Sequence, residues 1–230
     1  SWQHASRGLV GPSEFIPVAE ETGLIVPIGS WVMEEACRQG AAWRERLGPS
    51  APFMMSVNLS ARQLLQPGLA DFVRSTLDAT GLDPRDLVLE VTETVLVDDA
   101  DHANHVLQGL RELGVRVSID DFGTGYASLT YLRKLPVDIL KIDQTFVSGL
   151  VADGDDAGIV ETIVDLGERL GLTVIAEGVE QEIQAERLKT LGCRLAQGYY
   201  YSVPVTAAEL EEKLLAPGDI SNAQSQFRLL

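Results

Sequence analysis

The chain has 230 residues, 45% of them apolar, and carries 34 acidic against 18 basic side chains for a formal charge of −16. That length and apolar content bury a sizeable core as one α/β domain or two small ones. The negative charge excludes non-specific binding to a long polyanion such as DNA or RNA, though not to a small phosphate ligand held through metal ions.

Other classes fall away as well. No stretch approaches the roughly 18 consecutive apolar residues of a membrane-spanning helix, and the start shows no basic-then-apolar signal pattern. Cys37 and Cys193 lie too far apart in the sequence to suggest a disulfide framework. They predict buried, reduced thiols in a cytoplasmic protein.

In chain order, the first predicted element is a helix from Ser30 to Leu47, with Trp31, Ala36 and Trp43 expected to face the core. From residue 52 onward, short apolar runs alternate with longer amphipathic ones, the rhythm of repeated strand-then-helix units. Strands are predicted at Phe53 to Val57, Leu87 to Val91, Val115 to Ile119, Val137 to Ile142, Leu172 to Ala176 and Cys193 to Tyr199. Helices are predicted at Gly68 to Ala79, Asp101 to Leu113, Ala127 to Leu135, Asp156 to Leu170 and Gln181 to Leu191. Gly81, Gly114, Gly171 and Gly192 stand where left-handed C-terminal caps belong. Thr206 and Glu209 form the capping-box pair of a final helix.

Polar residues close the predicted strands: Asn58, Glu90, Asp120 with Asp121, Lys141 with Asp143, Glu177, and Gln197. In a parallel α/β barrel such ends converge on one face, where the active site sits. An open doubly wound sheet would not gather them into one cluster. The densest stretch is DDFGTGYASL at 120 to 129. There two hard oxygen donors on consecutive residues suit a metal site, and Gly123 and Gly125 let the following loop bend over a ligand. No clustered Cys/His set accompanies the acids, which favours magnesium or manganese over zinc. His4, His102 and His105 share no ligand pattern with the carboxylates.

The segments FIPVAEETGLI at 15 to 25, VNLSARQ at 57 to 63, LEVTE at 89 to 93, DDFGTGYASL, LPVDILKID at 135 to 143, AEGVE at 176 to 180 and QGYYYS at 197 to 202 resemble the EAL domains. These are bacterial phosphodiesterases that linearise cyclic di-GMP. The resemblance runs from Trp2 to about Pro204 and implies a TIM-like (β/α)8 barrel with one antiparallel strand. It also implies two divalent cations, Mg or Mn, and metal-dependent hydrolysis of cyclic di-GMP to linear pGpG through activation of water.

Carried over by position, Asn58, Glu90, Asp120, Asp121 and Glu177 resemble metal ligands. Lys141 would hold the attacking water or a phosphate oxygen, and Glu177 resembles the general base. Asp143, Glu180 and Gln197 match positions that contact the nucleotide or support the site. Glu93 matches the residue that braces the loop after Asp121. The same resemblance implies a bacterial signalling setting in the cytoplasm, whether or not the parent protein is tethered to a membrane. It leaves room for a homodimer and for an upstream sensory or GGDEF-type domain. A non-catalytic cyclic di-GMP receptor is the rival expectation, and a dimerisation module that relays signals is a third.

The chain departs from the pattern at two places. The Glu-Ala-Leu motif is absent from these residues and is expected to precede Trp2 in a second strand, and Ser1 stands where an arginine is usual. The expected division is therefore a phosphodiesterase domain at 1–220 followed by SNAQSQFRLL at 221–230. That tail is read as a tag-like scar joined to a displaced first-strand segment.

Overall fold

The apolar runs of the chain lie side by side as parallel strands because the described helices between them return the chain to the same edge. The structure, a computed structural model, describes residues 2–48, 52–93, 95, 100–125, 132–151 and 156–215. In chain order these form β1 (Trp2–His4), β2 (Gly8–Val10), α1 (Pro12–Thr22), α2 (Ile25–Leu47), β3 (Met55–Asn58), α3 (Ala61–Leu64) and α4 (Leu69–Thr80). There follow β4 (Leu87–Thr92), α5 (Ala100–Glu112), β5 (Arg116–Phe122), β6 (Ile139–Ile142), α6 (Gln144–Gly149) and α7 (Asp156–Leu170). The described chain ends with β7 (Thr173–Ala176), α8 (Glu182–Thr190), β8 (Leu195–Ala196) and α9 (Ala207–Leu215).

Strand order in the six-stranded sheet is β3-β4-β5-β6-β7-β8, the order of the sequence itself. A doubly wound sheet reverses its order at a switch point. An unreversed parallel run is a sector of a β/α barrel. The predicted first-strand segment, the tail at 221–230 and most of the predicted helix Ala127 to Leu135 lie outside the described residues.

Alternation along the strands separates two apolar layers. Leu87, Leu89 and Val91 on β4 point toward the helices and join the main core with Leu107, Leu110, Ile119, Leu140 and Ile142. Val88 points the other way and packs with Ile139 and Ile175, flanked by Met54 and Leu195. Two residues further along their strands from Val88, Ile139 and Ile175 stand Glu90, Lys141 and Glu177. Since side chains repeat with period two, the polar cluster sits directly on this inner apolar layer.

Several helix ends follow the predicted chemistry. Gly81, Gly114, Gly171 and Gly192 all adopt positive φ. On α4, Leu69, Val73, Thr76 and Leu77 are buried at helical spacing, and the helix stops where the Gly81 N–H bonds to the Leu77 carbonyl. Thr206 and Glu209 cap α9 reciprocally, with bonds of 2.8 Å from the Thr206 N–H and hydroxyl to Glu209.

Other expectations need correction. The long helix begins at Ile25 rather than Ser30, a second helix, α1, precedes it, and a β1–β2 hairpin stands at the start. Trp43 is buried, but Trp31 is 64% exposed. Twelve residues at about 100° each leave the two rings roughly 120° apart around the axis, so one helix face cannot hold both. The last strand is shorter than predicted. The chain turns after Gln197 because Gly198 lies against the Val179 backbone, where a Cβ would come within 2.2 Å of its carbonyl oxygen. No described helix is long and apolar enough to cross a membrane.

Candidate active site

The register of the sheet brings the strand ends level. Asn58 on β3 lies opposite Glu90 on β4, and Thr92 lies opposite Asp120 on β5. Lys141 on β6 reaches into this row, with its Nζ 2.8 Å from Glu90 Oε2, 3.1 Å from Asp120 Oδ1 and 2.5 Å from Glu177 Oε1. Glu90 and Lys141 are buried. Glu177 also accepts a hydrogen bond from the Gln197 amide through Oε1.

Plain alternation would send the side chains of Asp120 and Asp121 to opposite faces of β5. Here the pairing of β5 with β6 shifts register between Ile119 and Phe122. Asp121 takes a left-handed conformation, φ 54°, the one such non-glycine residue among those described. Irregularities of this kind re-aim side chains. As a result Asp120, Asp121 and Glu177 each offer an oxygen, all within 4.8 Å of one another.

One ammonium thus faces an excess of carboxylates, all of them hard oxygen donors. This set fits a divalent cation such as magnesium or manganese. The group beside it fits a nucleotide-sized ligand, since Asp121, Asp143, Glu177, Glu180 and Gln197 line one cavity of about 720 Å³ that extends past Tyr201 and Pro204.

The sequence profile of the EAL domain matches residues 1–204. The chain belongs to the EAL domain family. This EAL domain is 49% identical over 209 residues to the bifunctional diguanylate cyclase/cyclic di-GMP phosphodiesterase MucR of Pseudomonas aeruginosa, covering 91% of this chain and 30% of that protein. To the cyclic di-GMP phosphodiesterase NbdA of the same organism it is 43% identical over 219 residues, or 94% of this chain and 27% of the relative. The solved structure of the MucR phosphodiesterase in complex with c-di-GMP matches with a TM-score of 0.86 at 49% identity, over 91% of this chain and 84% of that one. The chain therefore spans less than a third of the length of these curated relatives. The six parallel strands seen here are the corresponding part of a TIM-like barrel.

Electrostatics in the EAL site follow from burial and crowding. Burial pushes the Glu177 carboxyl up to about 7, with Asp120 adding to the effect and Lys141 opposing it. Asp121 rises to about 6, first through burial and then through Asp120 and Asp143. Burial works against the Lys141 ammonium, but Glu90, Glu177 and Asp120 outweigh it and hold its pKa above the ordinary value.

A carboxyl raised in the folded state contributes stability that is full below its unfolded pKa and lost as pH climbs through the folded one. A cation binding there displaces those protons, so its grip tightens over the same rise. The increase in melting temperature caused by Mn²⁺ is accordingly expected to grow from about pH 5 to about pH 8. Differential scanning fluorimetry checks this, and a shift that is flat or shrinks with pH contradicts it.

The remaining residues predicted for the site divide by position. Asp143 lines the same cavity as Asp121, and the two carboxyls act on each other's charge. Lys141 pairs instead with Glu90, Asp120 and Glu177, so Lys141 and Asp143 are not an isolated ion pair. Burial opposes the Asp143 charge, but hydrogen bonds from Thr145 outweigh it and hold the carboxyl below the ordinary range. Asn58 is exposed beside Glu90, and Glu180 is exposed on the cavity wall. Glu93 is buried and accepts hydrogen bonds from the N–H groups of Gly123 (3.2 Å) and Gly125 (3.3 Å).

Sequence reasoning missed the supports behind these groups. The Gln184 side chain bonds to the N–H groups of Glu180 (2.7 Å) and Gln181 (2.9 Å) and to the Val147 carbonyl (3.3 Å), tying the Glu177–Glu180 loop to α6. Its place as the fourth residue after Glu180, opening a helix, was the available signal. Gln144 packs against Gly178, whose φ is 69° and whose added Cβ would lie 2.5 Å from the Gln144 Cβ. Gly178→Ala is therefore expected to cost about 1–3 kcal/mol. Urea unfolding checks this, with the midpoint falling at unchanged slope.

Proposed function

We propose that this EAL domain hydrolyses cyclic di-GMP to linear pGpG as a metal-dependent phosphodiesterase. The observation that carries the reading is the buried Lys141 ammonium among Glu90, Asp120 and Glu177, set against the cavity where Asp121 joins the same oxygens. Asn58, Glu90, Asp120, Asp121 and Glu177 would hold two divalent cations, Mg or Mn. When bound, such a pair neutralises the anionic oxygens of a phosphodiester and makes a nearby water more acidic.

The chain's own residues do the rest. Lys141 fixes three carboxylates in one geometry and presents positive charge to the attacking water or a phosphate oxygen. Glu177 Oε1 is held by Lys141 and Gln197, which fixes the orientation of its carboxyl in the site. Without cations, burial raises the Glu177 carboxyl above the ordinary range, the direction a general base at neutral pH needs. Asp143, Glu180 and Gln197 contact or support the nucleotide from the cavity wall, and Glu93 anchors the loop that starts at Gly123.

We assign this activity to residues 1–220 as one domain. A homodimer, and an upstream sensory or GGDEF-type domain in a longer parent protein, belong to the same proposal. Incubation with cyclic di-GMP and Mn²⁺, with products resolved by anion-exchange chromatography, tests the proposal. Accumulation of pGpG supports it. Binding of cyclic di-GMP with no pGpG in Mn²⁺ would make the domain a receptor.

A further inference from the structure

Gln184 stands on the first turn of α8 and is 3% exposed. Its Oε1 accepts from the Gln181 N–H at 2.9 Å, an ordinary capping-box bond that serves the helix. Its other two bonds serve no group of α8. Oε1 accepts a shorter bond, 2.7 Å, from the Glu180 N–H, which lies ahead of the N-cap, and Nε2 donates to the Val147 carbonyl of α6 at 3.3 Å.

Held at Glu180, the loop that starts at Gly178 is joined to a second wall. The Val179 N–H donates to the Gln197 carbonyl at 3.1 Å, and the Val179 carbonyl accepts from the Tyr200 N–H at 2.9 Å. Gly178, Glu180, Gln197 and Tyr199 all line the cavity of the candidate site. Glu177 is anchored separately, by its N–H bond of 3.0 Å to the Ile142 carbonyl and by Lys141 at its carboxylate.

We infer that Gln184 is a positioning residue for nucleotide binding: from behind the cavity, its amide sets the Gly178–Glu180 wall and, through Val179, the Gln197–Tyr200 turn against which the nucleotide lies. The inference rests on the cyclic di-GMP reading above. Because Glu177 has its own anchors, loss of the amide should weaken the hold on the nucleotide and leave the cations and the chemical step nearly untouched.

The test compares Gln184→Met, which keeps the volume of the side chain without its hydrogen bonds, with the unaltered chain and with Glu186→Gly. Glu186 is exposed on α8, and glycine there weakens the helix while leaving the Gln184 bonds in place. Three readouts are taken: the Kd of cyclic di-GMP in Ca²⁺ by isothermal titration calorimetry, KM and kcat for pGpG formation in Mn²⁺, and the half-saturating Mn²⁺ concentration. Gln184→Met is expected to raise Kd and KM about tenfold, with kcat and the Mn²⁺ requirement within about twofold of the unaltered chain. Glu186→Gly should lower the melting temperature and leave Kd and KM within about twofold. If Gln184→Met does not fold, Gln184→Ala takes its place, since the space it opens lets water reach the freed N–H groups.

A Kd unchanged in Gln184→Met or Gln184→Ala, whatever the melting temperature, overturns the inference. So does a Kd that rises as far in Glu186→Gly, because affinity would then follow helix stability alone, and so does a loss confined to kcat. An unaltered chain that binds cyclic di-GMP without forming pGpG removes the phosphodiesterase reading, while the Kd values still decide the role of Gln184. One that binds no cyclic di-GMP in either Ca²⁺ or Mn²⁺ overturns both.

Discussion

Lys141→Met is expected to destabilise the metal-free domain by about 3–5 kcal/mol, because removing one partner of a buried ion cluster leaves the others uncompensated. Three carboxylates lean on that ammonium, and its side chain is 4% exposed, so water cannot replace it. Repulsion among the ionised Glu90, Asp120 and Glu177 carboxylates is then uncompensated. The loss should therefore be smallest below the unfolded carboxylate range and should grow as pH rises. Divalent cations are expected to restore much of the stability in Lys141→Met, since they supply the missing charge, while hydrolysis remains lost. Denaturant unfolding with and without Mg²⁺ measures this. A variant as stable as the parent in the absence of metal would mean that Lys141 does not organise the cluster.

Glu177→Gln should lower the rate of cyclic di-GMP hydrolysis by about 10²- to 10⁴-fold, the usual contribution of a positioned general base. The amide keeps the volume of the side chain, so folding should survive. Charge disappears from the centre of the site, however, and Lys141 loses one of its three partners. The substitution also removes a carboxylate oxygen from the Asp120–Asp121–Glu177 group, so the half-saturating Mn²⁺ concentration is expected to rise. Activity within a few-fold of the parent at saturating Mn²⁺ would exclude Glu177 as the base.

How far the sequence foretold this arrangement can be read from single residues. Glu90, Lys141 and Glu177 were recognisable because each stands at or just past the C-terminal end of a predicted strand, where a parallel barrel gathers its polar residues. Helix ends were equally plain at Gly81 and Gly171, where a left-handed cap leaves a glycine behind. The meeting of Asp120 and Asp121 in one cluster was foreseen from donor chemistry, but its cause was not. A register shift and a positive φ at an aspartate are tertiary outcomes that no local pattern announces.

Trp31 shows the converse failure. Helical spacing gives the angle between Trp31 and Trp43 but not which face its neighbours cover, and apolar character alone does not decide burial. Thr145 left little trace in the sequence, and Gln184 only its spacing from the helix start, because hydrogen bonds that orient a site residue from behind follow no periodicity.

The most direct test of the central reading, that a ring of carboxylates gripping divalent cations drives the cleavage, is the rate of pGpG formation before and after exhaustive chelation. The rate is expected to fall to background after chelation and to return on adding Mn²⁺. Undiminished conversion of cyclic di-GMP in a sample stripped of divalent ions would contradict it.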